Sequence, residues 1–244
     1  MMIDRKQILA VTESANGFDF DTLSFSPKVQ ELIDINDTEF EGVGAKEIMF
    51  DGMQFLLHGY DTQNTQNIIA SSSPNCVFCE TPSKSAVCVG LSLGQHIIDA
   101  PNIGRVNRTF LLLAKYVGNV INADSFAWLP GKNIVGSQYF NEALETYINK
   151  GIFPVLIQIS FKTEAPGIFR SVGLSYFADQ EIELITPRDF PRNEAIKRMV
   201  RIVDDIVENG KIKARLESKG LARGERIEFL PSGDGKTIHV SLSV

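Results

Sequence analysis

All three cysteines of this sequence fall within one stretch, NCVFCETPSKSAVCVGLSLGQH, which runs from Asn75 to His96. Cys76, Cys79, Cys88 and His96 could ligate a metal ion, exchange disulfides, or pair a thiol nucleophile with an imidazole base. A metal knuckle needs its two thiolates to converge around a tight turn. Here the residues between Cys76 and Cys79 are Val77 and Phe78, both strand formers, and no glycine turns the chain. On an extended strand, side chains three positions apart leave opposite faces, so these two thiols are expected to diverge. TPSKS, residues 81–85, reads as the turn of a hairpin. Depending on loop parity, it sets Cys88 across from Cys79 or across from Phe78. The expectation is a hairpin whose cysteines fill small core spaces, with no metal and no cofactor.

The other motif-like stretches read as turns and solvated faces. SGDGKT lacks the first glycine of a phosphate loop, because Leu230 stands five residues before Gly235, and TIHVSLSV follows as a strand instead of a helix. His58, His96 and His239 are scattered, and no HExxH or nucleophile elbow surrounds them. Asp204, Asp205, Glu142 and Glu145 sit on helix faces where solvation accounts for them. The densest basic stretch, Arg188, Arg192, Lys197, Arg198, Arg201 and Lys211, reads as a solvated helix flank. Without interleaved aromatics it does not point to nucleic acid.

Two stretches are less easily explained by packing, SFAWLPGKNI and GLSYFADQEIEL. Trp128, the one tryptophan, ends a strand just before Pro130-Gly131, where it can close the core or line a groove. Gly173 inside a strand suggests a bulge or a close approach. Gln180 and Glu181 open the next strand after a short turn, and Glu181 is placed to cap or to pair with an arginine. Trp128, Gly173, Tyr176, Gln180 and Glu181 are the candidate binding residues. No residue is assigned a catalytic role.

These groups must be held by helices and strands. In GRVNRTFLLLAKYVGNVINA, Val106, Phe110, Leu113, Val117, Val120 and Ile121 share one helical stripe. Phe140, Leu144, Tyr147 and Ile148 share a second, with Ser137 as N-cap and Gly151 as C-cap. Ile196, Met199, Val200, Val203 and Val207 share a third, opened by Pro191 and closed by Gly210. Strands are expected in MQFLLHGYD, NCVFCE, AVCVGLSL, SFAWLP, FPVLIQISF, IFRSVGLSYF and QEIELI. The chain closes with a hairpin of RIEFL and TIHVSLSV. Hairpins among helices imply an α+β fold, a largely antiparallel sheet with amphipathic helices packed on one side. One compact domain over residues 1–244 is expected, with a soft seam near residue 150. Two similar halves, each strands then a helix, are one arrangement of it.

Composition bounds the function. A chain of 244 residues, 43% hydrophobic and 22% charged, can bury a full core without a disulfide or a metal. Its longest apolar runs fall far short of a membrane span, and MMIDRKQILAVTES lacks the apolar core of a signal peptide. An odd number of cysteines fits a reducing compartment, so a cytoplasmic location is expected. Net charge is −6, but residues 185–244 carry 12 Lys/Arg against 9 Asp/Glu while the remainder carries 12 against 21. The overall acidity opposes phosphate binding.

From about residue 85 to 240 the pattern resembles a bacterial family catalogued as a domain of unknown function, number 4261. The resemblance runs from SAVCVGLSLGQHIIDAPNIGRVNRTFLLLAKYVGNVINA through DSFAWLPG and PVLIQISF to SVGLSYFADQEIEL and the long helix ending in VENG. Its recurrent positions match Trp128, Pro130, Gly173, Leu174, Phe177 and Glu181. Members usually carry bulky residues where NCVFCE stands, so the cysteines depart from the pattern. The resemblance implies an α+β fold and supplies no activity, substrate or cofactor. With no convergent acid, base or nucleophile visible, the leading expectation is a non-enzymatic cytoplasmic module. It would bind a protein partner or a small ligand, neither membrane nor nucleic acid. The alternative is an enzyme whose site is assembled from residues distant in sequence. Cys88 with His96, or Glu181 with an arginine, would then have to converge.

Overall fold

The computed structural model describes residues 8–13, 20, 23–40, 43–72, 75–100 and 102–243. The chain divides into two compact units, Met1–Ile157 and Gln158–Val244. Each is built on its own open, mostly antiparallel sheet, and the fold is α+β.

The first unit contains β1 (Ile8–Thr12), α1 (Pro27–Gln30), β2 (Ile33–Phe40), β3 (Val43–Phe50), β4 (Met53–Tyr60), α2 (Thr62–Ser72), β5 (Asn75–Val77), β6 (Val87–Leu93), α3 (Gly104–Ile121), β7 (Ser125–Trp128), β8 (Asn133–Gly136) and α4 (Ser137–Lys150). Its strands lie in the order β2-β3-β4-β6-β1-β7-β8-β5 among the described residues. The strand nearest the N-terminus thus sits mid-sheet, paired antiparallel with β6 and β7. All five of its residues are buried, which demands cover on both faces. Leu9 and Val11 face a cluster shared with Ile68 and Ile69 of α2. On the opposite parity lies α3, which packs on β1 and β6 and carries α4 beside it. Helices therefore cover both faces of this sheet, a correction to the one-sided expectation. The expected stripe of α3 holds at Val106, Phe110, Leu113, Val117 and Ile121, while Val120 is half-buried. In α4, Phe140, Leu144 and Tyr147 are buried, but Ile148 is exposed. Gly151 caps that helix in the left-handed region as expected, whereas Ser137 is its first residue and donates its hydroxyl to the Ala123 carbonyl. The β3–β4 hairpin turns at Asp51-Gly52, both with positive φ, as a two-residue primed turn needs.

α5 (Val155–Gln158) lies at the boundary of the units. FPVLIQISF alternates like a strand, but Pro154 starts a helical turn there, with Ile157 donating to the Pro154 carbonyl at 3.0 Å. Extended structure begins only at Ser160.

The second unit holds β9 (Ser160–Ala165), β10 (Ile168–Val172), α6 (Ser175–Ala178), β11 (Glu181–Ile185), α7 (Arg192–Asn209), β12 (Leu216–Lys219), β13 (Arg226–Pro231) and β14 (Thr237–Ser243). The sheet order is β12-β13-β14-β11-β10-β9, with β11 and β14 parallel and the rest antiparallel. The terminal hairpin forms as expected. IFRSVGLSYF is a strand only to Val172; Gly173, with φ +102°, leads into the helical turn α6. α7 packs on β11 and buries Ala195, Arg198, Met199, Ile202, Val203 and Ile206. Its buried face is rotated from the expected stripe, because Ile196, Val200 and Val207 are only partly covered and an arginine is taken inside. Among the described residues, no helix is long and apolar enough to cross a membrane.

Candidate functional site

Gly173, Gln180 and Glu181 come together in the connection from β10 to β11, and there they hold the chain in place. The Glu181 carboxylate accepts hydrogen bonds from the Ser171 hydroxyl at 2.5 Å, the Gly173 amide at 2.9 Å and the Ser175 amide at 3.0 Å. The Ser171 hydroxyl also accepts from the Ile182 amide at 2.7 Å. Two amides at the start of α6 lack helical carbonyl partners, and Glu181 supplies them with an acceptor. Gln180 is fully buried, and both ends of its amide are used. It donates to the Ile212 and Gly235 carbonyls at 2.9 and 3.0 Å, and accepts from the Ile212 amide at 2.9 Å. Tyr176 is half-buried, its ring edge-on to Phe177 at 5.0 Å.

Trp128 belongs to the first unit and is 1% exposed. It lies edge-on to Phe110 with centroids 6.0 Å apart, and Phe110 in turn stacks on Phe55. The residues after it form a tight turn into β8, Lys132 donating to the Leu129 carbonyl at 3.2 Å. Trp128 is core.

The basic stretch of α7 contains a group that periodicity could not reveal. Arg198 makes a two-pronged contact with Glu225, with Nε and Nη2 both at 2.6 Å from its oxygens. Its Nη1 reaches the Glu194 carbonyl and carboxylate, and its guanidinium lies over the Phe190 ring at 5.1 Å. Glu225 also accepts from the Ala222 amide at 2.9 Å. Both side chains are buried, and hydrogen bonding from Arg198 holds the Glu225 carboxyl below its usual value. The pair ties the loop before β13 to α7, and it is satisfied. Exposed Asp179 accepts from Lys236 and from Lys211, and the Lys236 bond above all lowers its carboxyl.

The cysteine stretch departs from expectation. β5 is three residues long and lies at the sheet edge, parallel to β8, while β6 pairs with β1 and β4. No hairpin joins NCVFCE to AVCVGLSL, so Cys88 faces neither Cys79 nor Phe78 across a ladder. The chain bends at Phe78, whose φ is +53°. After that bend Cys79 packs against the same buried cluster as Cys76, against the expected divergence. Cys79 Sγ also donates to the Ile134 carbonyl at 3.4 Å, and Cys76 Sγ shares a 3.5 Å contact with the Thr81 hydroxyl. Burial, and secondarily Cys76, pushes the Cys79 thiol up to about 11. Cys88 is the core filler expected. It is 1% exposed, accepts from the Thr65 hydroxyl at 3.3 Å, and burial pushes its thiol up to about 12. It is the second residue of β6, whereas exposed His96 lies past the far end of that strand, so most of the strand's length separates the two. Among the described residues, no group of three or more His, Cys, Asp or Glu is gathered to hold a metal.

The remaining built surface is the face of the second sheet opposite α7. Register places Lys162, Arg170, Glu183, His239 and Leu230 in one row across β9, β10, β11, β14 and β13. His239 Nδ1 and Glu183 Oε1 are 2.9 Å apart. Arg170 is exposed, and Ile185 and Leu230 are 42% and 50% exposed on the same face. Sequence reading passed over this row because each strand alone shows ordinary alternation. Only the pairing, including the parallel β11–β14 step, lines the residues up. Compared with known protein families, with curated proteins and with solved structures, the chain gave no match.

Proposed function

We propose that this chain is a non-enzymatic binding module, and that its second unit recognises a protein partner through the open face of its sheet. The observation that carries this reading is the row Lys162–Arg170–Glu183–His239–Leu230, with exposed Ile185 beside it. Charged groups ordered on a rigid sheet, with large apolar side chains next to them, suit a partner that needs both contact area and orientation. The groups that could otherwise suggest chemistry, Glu181, Gln180 and the Arg198–Glu225 pair, have their hydrogen bonds committed within the fold. A cytoplasmic setting belongs to this reading, supported by three free cysteines. So does membership of the family numbered 4261, which rests on the pattern around Trp128, Gly173 and Glu181.

The test is parallel affinity purification from the source cells with the native chain and with a chain carrying Arg170→Glu and Leu230→Asp. A partner held by the native chain and lost from the folded variant supports the reading. Identical recoveries from both remove this face from consideration. A small molecule retained in native mass spectrometry and turned over by the chain would replace the reading with an enzymatic one.

A further inference from the structure

We propose that Cys76 and Cys79 form a redox-active dithiol that closes reversibly to a disulfide by exchange with low-molecular-weight disulfides. The geometry of the bend carries this inference. Left-handed φ is unfavourable for a bulky aromatic, yet Phe78 holds φ +53°. Phe78 is also 75% exposed, so burial of its own ring does not compensate for that conformation; its ring rests on Tyr139, centroids 4.9 Å apart. What sustains the bend is β8. A Cβ at Gly136 would overlap the Phe78 carbonyl, so the bend fits only against a glycine. Cys76 pairs with Ile134 across β5 and β8, and the Cys79 thiol donates to the carbonyl of that same Ile134 at 3.4 Å, so the two cysteines meet at one residue. A disulfide needs Cα atoms roughly 4.4–6.8 Å apart, and closure has to bring Cys76 and Cys79 to that separation.

The two thiols are placed unequally, which assigns their roles. Both cysteines pack against the cluster below β8, but Cys79 also donates its thiol to the Ile134 carbonyl. The thiol of Cys76, in the middle of the edge strand β5, makes its polar contact with the exposed Thr81 hydroxyl at 3.5 Å. Cys76 is therefore the sulfur that meets an external disulfide. As a thiolate it attacks one sulfur of RSSR, forming a Cys76–SR mixed disulfide and releasing RS⁻. Cys79 then attacks the Cys76 sulfur, closing the Cys76–Cys79 bond and releasing the second RS⁻. The two thiol protons leave with the two RSH products. The external disulfide is reduced by two electrons and the dithiol is oxidised by two.

The experiment incubates the reduced full chain with oxidised and reduced glutathione at graded ratios, followed by denaturing alkylation and peptide mass spectrometry. The peptide carrying Cys76 and Cys79 should lose two hydrogens reversibly, leaving only Cys88 alkylated. Cys79→Ser should stop at a stable glutathione adduct on Cys76. Cys76→Ser should form adducts about tenfold more slowly or worse, because the remaining thiol is the shielded one. Cys88→Ser should close as the native chain does. An unchanged dithiol in the native chain at every ratio would overturn the proposal. So would a persistent Cys76 adduct in the native chain without closure. The native-chain result decides the matter even where a serine variant folds poorly.

Discussion

The two units seat helices on sheets by different means. In the first, β1 is buried along its whole length, and aromatic contacts such as Phe110 on Trp128 and Phe126 on Phe140 join sheet to helices. In the second, one sheet face carries α7 and the other stays open, and the connections are held by directional polar groups: Glu181, Gln180 and Arg198–Glu225. Size explains part of the difference. A unit spanning residues 158–244 has a poorer ratio of core to surface than one spanning residues 1–157, so loops gain less from burial and more from specific bonds. The contrast teaches that a buried charge or amide in the smaller unit is first a fastening, and that its unfastened surface is where recognition belongs.

The sharpest way to break this comparison is to remove the largest aromatic and the buried charge in turn. Trp128→Ala should cost about 5 kcal/mol, the upper end for truncating a fully buried aromatic, because its neighbours Phe110 and Ile8 cannot close the space. Hydrogen exchange resolved by peptide should show the loss in β1 and β7. Arg198→Ala should cost about 3–4 kcal/mol, since Glu225 is left buried with only the Ala222 amide. Its loss should appear in β13, β14 and α7, and urea unfolding should show that replacing both partners by apolar residues restores much of it. Equal loss of protection in both units from either change would erase the distinction drawn here.

Next in size is the Glu181 bracket. Glu181→Ala removes an acceptor from two amides and a hydroxyl, and should cost about 2 kcal/mol, read as a lower urea midpoint with an unchanged slope. A smaller effect follows from Glu225. Its folded carboxyl titrates below the ordinary value of 4.5, so the ion pair contributes stability in full above that value. The contribution is lost as pH falls through the lower folded value. Stability of the native chain should therefore drop on acidification below about pH 4.5, and Glu225→Gln should show a shallower drop over that window while being less stable at neutral pH.

Much of this architecture is legible in the amino-acid order, and the failures share a cause. α3, α4 and α7 announce themselves by period and by Gly151, Pro191 and Gly210, because those signals are local. β1 is harder: ILAVT is a short apolar run without alternation, since both its faces are covered. The inward turn of Arg198 depends on Glu225, 27 residues away. The bend at Phe78 runs against local preference and rests on Gly136 in another strand. Of the candidate binding residues, Gly173, Gln180 and Glu181 fasten the β10–β11 connection, and their partners Ser171, Ile212 and Gly235 lie outside any local motif. Long-range pairing, not local preference, decided each of these.

The smallest expected effect is the most telling about the open face. His239 and Glu183 face each other across the parallel β11–β14 pair, but their side chains are 42% and 28% exposed. An exposed polar contact contributes little, so His239→Ala should shift stability by no more than about 0.5–1 kcal/mol, measured by urea unfolding at neutral pH. Set beside the buried, two-pronged Arg198–Glu225 pair, that small number would separate fastening from display. If His239→Ala proved as costly as Arg198→Ala, the outer row would be holding the sheet together, and the proposed partner would lose its binding face. If stability holds while partner capture falls, the row is doing what its exposure permits: ordering charge on a rigid surface without being needed to keep that surface folded.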